Sequence, residues 1–255
     1  MISRHRALAA SAWACSFALA VPAIAHIHMT VDTLSGAAGD PIRIRAGYLA
    51  TEGAITIADG RLLYNGSIAT FTVGERLTQP GPLNGAWLSQ DLVLTSDFFF
   101  ATGRLAGGNF RWEIASVAVL SGTAGTVGWG EFDHDGVFAG LASSAASSRI
   151  GRSYDTLAGY HEHEQAAFFT AAGRYDVTLI AWDSNGRFAD SAPVTIRFEV
   201  LPAQPAADLN GDGQVDGIDL GILLAAWSSA GPGDLNGDGV VDGVDLGVLL
   251  GAWTA

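Results

Sequence analysis

Between residues 26 and 200 apolar and polar positions alternate in short runs separated by glycine-rich stretches, the period of strands that bury one face. Five runs carry the pattern: Ile42 to Tyr48, Ile68 to Val73, Phe110 to Ile114, Tyr175 to Trp182 and Val194 to Val200. All are rich in the β-branched and aromatic side chains that pack well on a pleated surface. A helical period is suggested only around Leu141 to Ser148. These runs predict an all-β sandwich, immunoglobulin-like or jelly roll, whose strand order a single sequence does not specify. Trp112, Trp129 and Trp182 are expected in the core, where a large ring removes most apolar area from water, rather than as sugar-stacking platforms.

The period changes after Val200. Leu201 to Ala207, with two prolines and three alanines, has the composition of a linker. Beyond it the segment Asp208 to Trp227 recurs 26 residues later as Asp234 to Trp253. In each copy apolar residues fall at i, i+3, i+4 and i+7: Leu220, Leu223, Leu224 and Trp227, then Leu246, Leu249, Leu250 and Trp253. That spacing predicts two short amphipathic helices, each supplying the partner face that the other lacks. The predicted organisation is therefore a leader over 1–25, a β-domain over 26–200, a linker over 201–207 and a helical repeat pair over 208–255.

Each predicted helix is preceded by oxygen-bearing side chains at loop positions 1, 3, 5, 9 and 12, with glycine at position 6. This is the spacing with which a twelve-residue loop surrounds a calcium ion. The first set is Asp208, Asn210, Asp212, Asp216 and Asp219, around Gly213; the second is Asp234, Asn236, Asp238, Asp242 and Asp245, around Gly239. Position 7, Gln214 or Val240, contributes its main-chain carbonyl, so its side chain is free to differ. The segment holds eight aspartates and no basic residue, so divalent cations should be coupled to its folding. The doubled motif resembles the type I dockerin family, in which aspartate closes the loop at position 12. The resemblance covers about a fifth of the chain and implies two bound calcium ions and docking to a cohesin-like or other surface protein. In that family positions 10 and 11 help select the partner; here they are Gly217-Ile218 and Gly243-Val244, where polar pairs are common.

Composition narrows the remaining choices. All thirteen basic residues are arginine and the net charge is −13, a balance that argues against nucleic acid or an anionic membrane as partner. Arg4 and Arg6 precede an apolar run from Ala7 to Val21 and the small-x-small site Ala23-Ile24-Ala25, the pattern of an export signal too short to be a permanent anchor. The expected protein is thus secreted, extracellular or at the cell surface, without a membrane-spanning segment. Cleavage after Ala25 removes two arginines, leaves 11 − 26 = −15, and makes His26 the first residue. The only cysteine, Cys15, lies in the leader, so no disulfide is available to stabilise a small domain.

The candidate chemistry of the β-domain is histidine. Four histidines form two His-x-His pairs, His26 with His28 and His161 with His163; on a strand, alternate residues share a face, so each pair can offer two imidazoles to one zinc or copper ion. The stretch from Tyr160 to Leu179, with His-Glu-His, an aromatic run and Gly-Arg-Tyr-Asp-Val, resembles bacterial surface-anchored β-sandwich proteins. It is also similar to exported zinc-responsive proteins whose mature chain begins with histidine. The resemblance implies a zinc connection for the four histidines and no catalysis. His134, between Asp133 and Asp135, is a weaker candidate.

The sequence therefore favours a non-enzymatic secreted module that binds a transition metal and docks through its repeats. The competing expectation is an enzyme of polysaccharide breakdown, either through a copper brace built on His26 or through carboxylates paired only in the fold. A zinc-protease helix is excluded because the residue at 165 is glutamine, and no G-x-S-x-G elbow or mature thiol is present. A third possibility is a structural surface protein with idle histidines.

Overall fold

The computed structural model describes residues 27–47, 55–96, 103–133, 135–156, 165–202 and 205–254. The first strands are β1 (Ile27–Thr33), β2 (Ile42–Ala46), β3 (Ile55–Ala58), β4 (Arg61–Tyr64), β5 (Ser67–Ile68) and β6 (Thr70–Val73). They are followed by β7 (Glu75–Arg76), β8 (Trp87–Ser89), β9 (Leu92–Thr95), β10 (Phe110–Gly122), β11 (Val127–Phe132) and β12 (Phe138–Ser143). A 3₁₀ turn at Ile150–Arg152 leads to β13 (Ser153–Asp155), β14 (Gln165–Phe169), β15 (Gly173–Asp183) and β16 (Val194–Val200), and then α1 (Gly217–Ala225) and α2 (Gly243–Gly251) end the order.

The β-rich expectation holds. Three sheets form, in the orders β2-β1-β9, β13-β10-β15-β16-β4-β3 and β12-β11-β14-β8-β7, with β5 and β6 attached to the second. Side chains of all three fill one core, including Met29 and Leu94 from the first, Trp112, Val177 and Phe198 from the second, and Trp129 and Phe169 from the third. The aromatic centre joins opposite sheets, with the Phe169 and Phe198 centroids 4.9 Å apart and Trp129 edge-on to Phe198 at 6.2 Å. Contacts of this kind add about 0.5–1.5 kcal/mol each beyond area burial.

Some strands are covered on both faces. In β14, Ala167 and Phe169 enter the main core, whereas Ala166 and Phe168 join Leu77, Leu88 and Phe138 in a second cluster. β1 is buried at every residue, and it pairs antiparallel with β2 but parallel with β9, setting His28 beside Val93. The Gly128-Trp129-Gly130 stretch of β11 requires its glycines: a Cβ on Gly130 would stand 2.1 Å from the Ala139 carbonyl oxygen, and one on Gly128 2.2 Å from that of Ala142.

The segment around Leu141 is not helical. It belongs to strand β12, which ends at Ser143 in a turn. Its apparent helical period reflects alanine and serine, which any structure tolerates. Trp112 and Trp129 are buried as expected. Trp182 is only half-buried: its indole N–H donates to Ser153 Oγ at 2.9 Å and the Arg149 guanidinium lies over its ring. No helix among the described residues is long and apolar enough to cross a membrane.

α1 and α2 share a small core of Ala207, Val215, Leu223, Val241 and Leu249. The predicted helix faces are half correct. Leu223 and Leu249 are fully buried and Leu220 and Leu246 pack against them. Leu224 and Leu250, however, are 50% and 52% exposed, and Trp227 and Trp253 are 43% and 39% exposed. A nine-residue helix in a two-helix unit meets its neighbour along a single line of contact, narrower than the stripe that the i, i+3, i+4, i+7 spacing marks out.

Candidate functional site

The two acidic loops fold alike, bond for bond. At position 1, Asp208 Oδ1 accepts the Gly211 and Asp212 amides at 2.8 and 3.2 Å and its Oδ2 accepts the Gly213 amide at 2.8 Å. At position 3, Asn210 Oδ1 accepts the Asp212 amide at 3.0 Å, and at position 5 Asp212 Oδ1 accepts the Gln214 amide at 2.9 Å. The second loop repeats this with Asp234 receiving Gly237, Asp238 and Gly239, Asn236 receiving Asp238, and Asp238 receiving Val240. These side-chain-to-amide turns are what short polar residues form locally in place of regular structure. Gly213 and Gly239 hold φ of +89° and +92°, the left-handed conformation that their position in the loop requires.

Positions 9 and 12 tie each loop to its helix. Asp216 caps α1 by accepting the Ile218 amide at 2.8 Å, and Asp219 returns the bond by accepting the Asp216 amide at 2.8 Å. Asp242 and Asp245 form the same reciprocal cap on α2. The other oxygen of Asp219 reaches back to the loop entrance, accepting the Leu209 and Asn210 amides at 2.7 and 3.0 Å; Asp245 does so with Leu235 and Asn236. Both carboxylates are wholly buried. Both sit below the ordinary carboxylate pKa because main-chain N–H groups, foremost those of Asp216 and Asp242, stabilise the ionised form against the opposing cost of burial.

Each loop also depends on the other repeat. Val215, at position 8 of the first loop, accepts the Thr254 amide at 3.0 Å and donates its own amide to Thr254 Oγ1 at 2.7 Å. Val241, at the same position of the second, accepts the Ser228 amide and donates to the Ser229 carbonyl, each at 2.9 Å. Ser228 and Thr254 are themselves 26 residues apart, so the repeat extends one residue beyond the tryptophans. Its period was legible; the closing role of those hydroxyl residues was not.

All side-chain donors in the loops are oxygen, the ligand class of a hard cation such as calcium. A carboxylate has about four acceptor positions. Asp219 accepts three hydrogen bonds and Asp212 two, one of the latter from Asn210 Nδ2 at 2.9 Å. Asp212 thus keeps acceptor positions free of protein hydrogen bonds, and the donor atoms are of the chemical class that calcium takes. No three His, Cys, Asp or Glu side chains among the described residues are gathered into a ready-made metal-holding group.

Of the four candidate histidines, only His28 belongs to the described residues. His26, His161 and His163, together with His134, lie outside them. His28 is 1% exposed on β1. A further link was not legible in the sequence. The side chain of Gln165, two residues after His163, accepts the Leu94 amide at 2.7 Å and donates to the Leu94 carbonyl at 2.9 Å. Leu94 is the β9 neighbour of Met29. The chain following the second histidine pair is thus fastened beside the strand that carries His28.

Comparison with protein-family models, with curated proteins and with solved structures finds no match to this chain.

Proposed function

We propose that this chain is a secreted, non-enzymatic binding protein, in which a β-rich domain holds a transition metal, zinc or copper, through its paired histidines, and a dockerin-like pair of calcium loops attaches it to an extracellular or cell-surface partner. The observation that carries the docking half is the repetition of one hydrogen-bond pattern in both loops, with oxygen donors at every ligand position and no basic residue within the segment beside its eight aspartates. Asp208, Asn210, Asp212, Asp219 and the Gln214 carbonyl would hold one ion, with Asp216 in support. Asp234, Asn236, Asp238, Asp245 and the Val240 carbonyl would hold the other, supported by Asp242. Bound calcium supplies positive charge and no redox chemistry; the residues order the loop and set the exposed helix surfaces for a partner, cohesin-like or otherwise.

The metal half is supported by the enclosure of His28 and by the anchoring of Gln165 beside its sheet. The carbohydrate-active alternative gains less. Among the described residues, the aromatic side chains of the β-domain are buried or half-buried, and the two open rings, Trp227 and Trp253, lie on the repeat pair.

Calorimetric titration of the full secreted chain tests the docking half. Two calcium ions per chain are expected, falling to one in Asp208→Ala and in Asp234→Ala, with chelator lowering the helical circular dichroism and leaving the β signal. Absence of calcium uptake overturns that reading. Metal analysis of the parent and a variant with all four histidines changed to alanine tests the other half, and equal zinc and copper content in the two would end it.

A further inference from the structure

We propose that the outer edge of β10 beyond Glu113 is a self-association surface, at which two copies of this chain join antiparallel across a two-fold axis. β10 lies second from the margin of its sheet, but its outer neighbour β13 covers only Arg111, Trp112 and Glu113. Pairing on the inner side continues through Gly122 against β15. From Ala115 to Gly122 no strand among the described residues flanks the other side. Seven of these eight residues are exposed, with Val117 intermediate. An open edge presents a row of main-chain donors and acceptors, and the shape that satisfies them is another extended strand.

The side chains specify which strand. Ala-Ser-Val-Ala-Val-Leu-Ser-Gly, from 115 to 122, contains no charge and no proline, the residues with which exposed edges are usually guarded. Val119 and Leu120 are 39% and 48% exposed. Register shifts between Ile114 and Ser116 and between Val119 and Ser121 leave a regular window from Ser116 to Val119. At a net charge of 11 − 26 = −15 for the secreted chain, two copies repel over most of their surface, and this uncharged ribbon is where they can approach without opposing like charges. A two-fold axis at Ala118 sets Ala118 against its own counterpart on one face, and on the other face sets Val117 against Val119 of the second copy and Val119 against its Val117. The two sheets then become one continuous sheet, with the open main-chain groups of each window paired.

Sedimentation equilibrium of the full secreted chain, from about 1 to about 100 µM, is the test. The parent is expected to pass from monomer to dimer over that range, and Val119→Lys and Leu120→Glu to stay monomeric with unchanged circular dichroism. Amide hydrogen exchange supplies a readout that does not depend on a variant folding: amides in Ser116–Val119 should gain protection with concentration. A parent that stays monomeric at the upper limit overturns the proposal. So does a dimer that persists in both variants, or one whose formation leaves those amides unprotected.

Discussion

At the scale of single residues, the large sheet is held in part by a carboxylate that its arginine partners keep ionised. Asp176 on β15 accepts from Arg197 Nε at 2.7 Å and Nη2 at 2.9 Å, and from Arg61 Nη1 at 3.0 Å. Its side chain is 8% exposed while both arginines remain partly in water. The Arg197 hydrogen bonds, then the Arg61 bond, pull its pKa below the ordinary value against the opposing effect of burial. A depressed carboxylate stabilises the fold at pH above its unfolded value, and that contribution fades as pH falls through the folded value. Asp176→Asn should therefore cost about 1–3 kcal/mol at neutral pH, the usual range for a charged hydrogen bond removed. Denaturant titrations of parent and variant should converge below the ordinary carboxylate pKa of 3.8. A gap that stays constant down to pH 2 would show that geometry, not charge, sets the difference.

At the scale of elements, the sequence was most informative where one face of a strand meets water. β16 lies over the run expected from Val194 to Val200, with buried and half-buried residues in strict alternation. β15 exceeds its expected run by two residues at the start and one at the end. β14 gave no alternating signal because both of its faces are covered, whereas β1 alternates apolar Ile27, Met29 and Val31 with polar His28, Thr30 and Asp32 yet buries both sets. Asp32 is tolerated there because Arg43, Arg45 and Arg104 all reach its carboxylate, a set drawn from separate parts of the chain that no local pattern reveals. In the repeats the loop spacing was fully legible, whereas the exposure of Leu224 and Trp227 was not, since it depends on how little of each helix its partner covers. The reciprocal caps set the helix starts. Asp216→Ala removes the acceptor for the Ile218 amide and should cost about 0.5–2 kcal/mol of repeat stability, read as a lower melting temperature of the helical signal alone. An equal fall in the β signal would mean that the repeat pair and the sheets melt as one.

At the scale of the whole molecule, the described residues use two ways of securing a fold. The sheets draw on one extensive apolar core, with buried aromatic rings from opposite layers in contact. The repeat pair buries five apolar side chains, too few for so small a unit to rely on, and in the proposed function ions supply the remainder. Its two halves are cross-linked rather than stacked, each loop closed by the residues that follow the other helix.

Sequence order and damage are consequently inverted in this module. Thr254 completes the loop that begins at Asp208, reaching Val215 across 39 positions, whereas the loop nearest to it is closed from Ser228 and Ser229. If the loops hold calcium as proposed, trimming the chain after Ala252 should thus cripple the distant loop and spare the adjacent one, a pattern that lanthanide luminescence of the clipped protein, with Asp208→Ala and Asp234→Ala as references, would distinguish from simple fraying of the terminus.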